Sequence, residues 1–172
     1  MIDIEDIARR LEHGGQAIRH LVEGITETVA QRRSAPGTWS ILEVVNHLYD
    51  EEREDFRARI DLVLHHPGEL GPPIDPEGWV TARDYQSRKL DESLANFLEE
   101  RRHSVEWVRS LADADWDAAI VHPAIGSLSA GTLAVSWVAH DYLHIRQITR
   151  LLYEEWNESM APYSPDYAGQ WK

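Results

Sequence analysis

The apolar residues of this chain recur at helical spacing in four separate stretches, and nowhere do they show the period of two that marks a half-buried strand. Ile4, Ile7, Leu11, Ile18, Leu21, Ile25 and Val29 follow one another at steps of three, four and seven and predict a first helix. Gly14-Gly15 interrupts it, either as a tolerated weak spot or as room for a neighbouring helix or a pocket. After Pro36-Gly37, the run Ser40-Ile41-Leu42-Glu43 reads as a capping box, with Trp39 and Val44 as its hydrophobic staple. The second helix should run from there to His65-His66, just before Pro67, where a cation suits a helix C-terminus. Residues 67–83 hold four prolines and three glycines and predict a long loop, a candidate lid. A third helix is expected from near Asp84 through Leu111, a second loop over 113–131, and a fourth helix from about Thr132 to Glu155. The aromatic tail, with Tyr163, Tyr167 and Trp171, is expected to pack across the bundle. Four such helices predict an all-α four-helix bundle, read as a single domain over residues 1–172. The two long connections leave simple up-and-down topology open.

Composition narrows what such a bundle can do. The formal net charge is −13, which argues against binding phosphate backbones or anionic membrane surfaces. No apolar run approaches the ~20 residues of a membrane span. The acidic start Met1-Ile2-Asp3-Ile4-Glu5-Asp6 lacks the features of a secretory signal, so a cytoplasmic location is expected. There are no cysteines, which excludes disulfides, thiolate zinc sites and cysteine nucleophiles. A small molecule or another protein remains as partner.

The chemistry-bearing feature lies on the fourth helix. His140 and His144 are one turn apart and share a stripe with Leu133, Trp137, Gln147 and Leu151, while Asp141, Tyr142 and Arg146 lie elsewhere. Two imidazoles in an inward-facing apolar row need partners, and a shared metal ion would satisfy both. On the second helix, Ser40, Val44, His47, Glu51, Glu54, Ala58 and Leu62 share a face, so His47 can meet the pair across the bundle. Three neutral imidazoles with open positions are the donor set of a catalytic rather than a closed structural site. Glu51, one turn below His47, is a candidate fourth ligand, orienting group or general base, although the acidic run 50–55 also reads as a solvated face. Gln147 is a candidate to hold a water or ligand by hydrogen bonds, or a polar residue at the bundle edge. His13, His20 and His103 have no partner at ligand spacing and read as surface or packing residues. His122 lies before Pro123 in a loop that can close over the site.

Four segments resemble the DinB/YfiT-like superfamily of candidate metalloenzymes. Trp39 to Leu48 is similar to the family's second helix with its single histidine. His140-Asp141-Tyr142-Leu143-His144-Ile145-Arg146-Gln147-Ile148 is similar to its final-helix signature. The segment His122 to Ser129 and the tail Tyr167 to Trp171 also resemble it. The resemblance implies a four-helix bundle whose divalent metal is held by His47, His140 and His144, and a homodimer. It further implies a metal-dependent enzyme, either a transferase using a low-molecular-weight thiol cosubstrate or a hydrolase, or else a non-catalytic metal-binding or stress-response module. A thiol site should offer cations for the cosubstrate's carboxylates, with Arg83 and Arg101 as candidates; a hydrolase should offer a base, with Glu51 as candidate. Zinc is the first expectation for the metal, with nickel, manganese or iron as alternatives.

Overall fold

A computed structural model describes residues 2–66, 68–69, 71–122 and 126–171; the expected role of Pro123 falls outside them, as does the side chain of His122. Helix α1 spans Ile4–Val22 and is capped by Asp3, whose carboxylate accepts from Asp6 N. It does not reach Val29. Gly24 adopts φ 85° and turns the chain into the short helix α2, Glu27–Gln31, capped by Thr26. Helix α3, Ile41–Glu51, starts at the expected capping box: the Ser40 side chain accepts from Glu43 N while Glu43 accepts from Ser40 N. A π-helical turn, Glu52–Phe56, carries it without a break into α4, Arg57–His65.

The proline-rich segment contains a helix that the density of breakers hides in the sequence. Asp75 caps α5, Pro76–Ala82, with Pro76 in its first turn, where proline is pre-organised. Asp84 then takes a left-handed φ of 47° and a single 3-10 turn follows at Tyr85–Ser87. Helix α6, Leu90–Ser110, therefore starts six residues after the expected point. The expected loop over 113–131 holds an antiparallel hairpin, β1 Ala119–His122 and β2 Gly126–Ser129, with Ala119 opposite Ser129. Four-residue strands are too short for alternation to show as a pattern. Helix α7, Ala130–Ser159, is capped by Ser129 and runs longer at both ends than its apolar stripe implies. In the tail, Trp171 stacks on Tyr153 at 5.1 Å, while Tyr163 and Tyr167 stay in solvent and Asp166–Ala168 forms one 3-10 turn.

In the bundle, α1 lies against α6 and α7, α3 lies against α6, and the α3–α4 rod lies against α7. Its interior is divided. One apolar cluster gathers Leu11, Phe56, Ile60, Val105, Val108, Leu133 and Trp137. A second gathers Ile18, Leu42, Leu48, Phe97, Ile148 and Leu151. On the α3–α4 rod, α6 and α7 the residues between these two sets include the buried polar Glu52, Arg101, Asp141 and His144, whereas His47 lies within the second set, between Val45 and Leu48. A polar storey thus separates two apolar ones.

The π-turn sets which residues reach that storey. Strict 3.6-residue periodicity puts Glu54, Ala58 and Leu62 below Glu51, but the buried positions are Phe56, Ile60 and Val63. The step of five from Glu51 to Phe56 is the extra residue of an i→i+5 turn. It turns Glu54 outward onto Arg83 and brings both Glu51 and Glu52 inside. The acidic run is therefore not a solvated face at positions 50, 51 and 52.

Gly14 and Gly15 are close-approach positions. A Cβ on Gly14 would overlap the Asp141 carboxylate, and one on Gly15 would lie 3.1 Å from Arg101 Cγ. In an ordinary helix, Gly→Ala is worth about 1 kcal/mol of stabilisation. Here Gly14→Ala is expected to destabilise by about 1–3 kcal/mol through overpacking. Urea denaturation checks this, and a stabilised variant would contradict the packing described.

Candidate metal centre

Helix α3 contributes His47 and helix α7 contributes His140 and His144, and the structure brings the three together. His47 Nε2 lies 3.2 Å from His140 Nε2 and 3.1 Å from His144 Nε2, and the last two are 3.0 Å apart. Three nitrogens each ~2.0–2.1 Å from one ion lie about 2.9–3.4 Å apart as the angles between them open from right to tetrahedral. The observed triangle falls inside that window. Without an ion, three converging ring nitrogens cannot all be satisfied, because a proton on one can point at only one other. The donor set and its spacing therefore fit a metal ion, and among the described residues no other group of three or more histidine, aspartate or glutamate side chains does.

Gln147 sets the chemistry of one donor. Its Oε1 lies 2.8 Å from His144 Nδ1, so Nδ1 carries the proton and donates, and the Nε2 lone pair is left facing the triangle. Glu51 stands behind His47: its Oε1 is 3.8 Å from Nδ1, the nitrogen that faces away from the triangle. Both atoms are buried and without a hydrogen-bond partner. The Glu51 carboxylate does not join the group of mutually close ligand atoms.

Two aromatic rings wall the site. Trp39, expected as a staple, packs on the core that contains Val44 and also sits 4.8 Å from the His47 ring and parallel to His144 at 6.5 Å. Phe56 sits 5.2 Å from His140 and stacks on Trp137 at 5.6 Å. His47 and His144 are buried, whereas His140 is only half-buried and marks the open side. His13, His20, His65, His66 and His103 are exposed.

The two cations considered for a thiol cosubstrate are engaged elsewhere. Arg101 is buried against Glu52 and Asp141. Arg83 is bidentate on Glu54 and also lies 2.7 Å from Asp50. Asp141, off the histidine stripe as expected, is nonetheless buried and faces α1 and α6.

Burial is the main force on the titration of the site. It lowers His47 to about 2, helped by His144 and His140, and lowers His140 to about 3, helped by His144 and Arg101. Burial lowers His144 as well, against its bond to Gln147. Burial and then Asp55 raise Glu51 to about 8.

Residues 10–148 match the DinB superfamily. The chain belongs to that family. YfiT of Bacillus subtilis, named as a candidate metal-dependent hydrolase, is 25% identical over 142 residues, covering 82% of this chain and 79% of that protein. A Bacillus licheniformis protein carrying the same description is 29% identical over 116 residues, covering 65% of this chain and 64% of its own length. A solved structure of B. subtilis YfiT, described as a four-helix bundle of unusual topology, superposes with a TM-score of 0.77 at 23% identity, covering 88% of each chain. The all-α bundle expected from periodicity is thus the fold of this chain.

The buried histidines make a definite pH dependence. In metal-free protein they stay neutral when folded but bind protons when unfolded, from the ordinary value of 6.5 downward. Stability is therefore fully present above pH 6.5 and lost as the pH falls towards the folded values. Glu51 works the other way, because its raised pKa lets the folded state hold one proton that the unfolded state lacks between about 8 and 4.5. The balance of His47 and His140 against Glu51 is a net uptake of about one proton on unfolding near pH 5, or about 1.4 kcal/mol per pH unit, and His144 adds to it in the same direction. Urea denaturation of chelator-treated protein between pH 7 and 5 should show this slope, and His140→Gln should reduce it by about one proton. An identical slope in the variant would contradict the burial described.

Proposed function

We propose that this chain is a metal-dependent hydrolase of a small molecule, with a divalent ion held by His47, His140 and His144. The observation that carries the reading is the triangle of three Nε2 atoms, 3.0–3.2 Å apart, with its open side at the half-buried His140. Three imidazoles leave positions free for water and substrate, unlike a closed structural site. When bound there, a divalent ion supplies Lewis acidity, polarising a substrate oxygen and lowering the pKa of water towards neutrality. The rest is done by the chain. Gln147 keeps the His144 proton on Nδ1, so the donor nitrogen stays free. Trp39 and Phe56 close the flanks against bulk solvent. Glu51 is better placed to orient His47 through Nδ1 than to act as a base on the open side, since it lies behind the ring.

Hydrolysis is preferred to thiol transfer on one specific ground. The two cations that the sequence offers for a thiol cosubstrate's carboxylates, Arg83 and Arg101, are already engaged by protein carboxylates. The descriptions of the two Bacillus relatives point the same way. Zinc is the first ion to test, because imidazole suits it, followed by nickel, manganese and iron.

The test is metal content by mass spectrometry on purified protein, paired with turnover of a panel of small esters and amides. Near-stoichiometric metal and turnover in the parent, both lost in His144→Ala while helicity persists, is the expected result. A loaded parent that hydrolyses nothing, yet conjugates a low-molecular-weight thiol to an electrophile, would replace the hydrolase reading with a transferase. A parent that holds no metal and refuses zinc, nickel and manganese would overturn both.

A further inference from the structure

Arg101 contributes no ligand and lies on α6, the helix that carries none of the three histidines. It is nonetheless 3% exposed and among the most heavily bonded side chains in the molecule. Its Nε and Nη2 donate to Glu52 Oε1 at 3.0 and 2.7 Å. Nη1 and Nη2 donate to Asp141 Oδ2 and Oδ1 at 2.5 and 2.7 Å, and Nη1 also donates to Leu11 O at 2.7 Å. The two carboxylates are not arbitrary. Glu52 opens the π-turn one residue after Glu51, on the rod that carries His47. Asp141 directly follows His140 and precedes His144 by three residues. Trp137, one turn before His140, donates Nε1 to the same Glu52 Oε1 at 2.9 Å and stacks on Phe56, whose ring faces His140.

One planar guanidinium thus bridges the two helices that carry the site, next to His140 on α7 and five residues beyond His47 on the α3–α4 rod. Its fork is directional: the paired bonds to Asp141 fix both the distance and the rotation of α7 about its axis. Rotation of α7 would move His140 and His144 together relative to His47. Stability alone does not account for such a group, because a buried ion triad is often no better than apolar packing of the same volume.

We propose that Arg101, acting through Glu52 and Asp141, is a positioning residue for the three-histidine centre. It holds the π-turn and α7 at the separation and rotation that make the three Nε2 atoms converge. The inference rests on the metal-binding reading given above, and the experiment separates the two.

Zinc affinity is measured by competition with a chromogenic chelator, and the cobalt-substituted protein is examined by visible absorption. The parent is compared with Asp141→Asn, Glu52→Gln and Arg101→Lys, and with Leu90→Ala, a buried residue at the far end of α6 that controls for lost stability. Asp141→Asn and Glu52→Gln keep the side-chain shape and each leaves Arg101 one carboxylate, and circular dichroism selects the variants that fold. The expected result is a loss of zinc affinity of about tenfold or more and an altered cobalt spectrum in the network variants, the scale seen when groups supporting metal ligands are removed. Leu90→Ala should keep the parent's affinity and spectrum. Network variants that fold and match the parent in both readouts would overturn the inference while leaving the metal site intact. A loss of affinity in Leu90→Ala equal to theirs would overturn it too. A parent that binds neither zinc nor cobalt would remove the metal-binding reading, and the inference with it.

Discussion

A guanidinium excluded from water has to be answered by charge and by hydrogen-bond acceptors in fixed positions, and that demand at Arg101 organises the middle of this bundle. Burial opposes its charge, but Asp141 and Glu52 outweigh that and keep its pKa above the ordinary arginine value. Meeting the demand needs two carboxylates inside the bundle. One arrives because the π-turn rotates Glu52 inward, and the other because Gly14 leaves room for Asp141 against α1. The glycine pair, the π-turn and the aspartate between the histidines are therefore parts of one solution. The two apolar storeys above and below hold the helices together and keep water out of the layer between them.

His140 and His144 lie in the same layer and His47 meets them from the second apolar cluster, and these surroundings explain their chemistry. Burial keeps them neutral, which is the form that donates a lone pair to a metal. Gln147 settles which nitrogen of His144 is free. The aromatic rings of Trp39 and Phe56 pack against His47 and His140, and His140 keeps part of its surface exposed. A site of this kind can bind an ion among neutral donors and still be reached from solvent at its half-buried His140.

Much of this was legible in the sequence, for identifiable reasons. His140 and His144 stand out because they interrupt an apolar row at one-turn spacing, and rows of that kind face inward. His47 could be placed because the capping box at Ser40 fixes where α3 begins and hence which residues share a face. What stayed hidden is instructive. A π-turn leaves no trace in a 3.6-residue template except that the template fails beyond it, so Phe56 was not singled out and the inward turn of Glu52 was not seen. Arg101 looks like any arginine on an amphipathic helix, because its burial depends on partners 40 and 49 residues away. The short helix α5 was masked by prolines and glycines, and the hairpin by strands too short to alternate.

The central claim is that His47, His140 and His144 hold one ion together. X-ray absorption spectroscopy of the zinc-loaded protein tests it most directly, because it counts the donors and measures their distances at once. Three imidazole nitrogens at about 2.0–2.1 Å are expected, with light-atom donors such as oxygen filling the remaining positions. A spectrum with one imidazole or none, dominated by carboxylate oxygens, would place the ion elsewhere and contradict it.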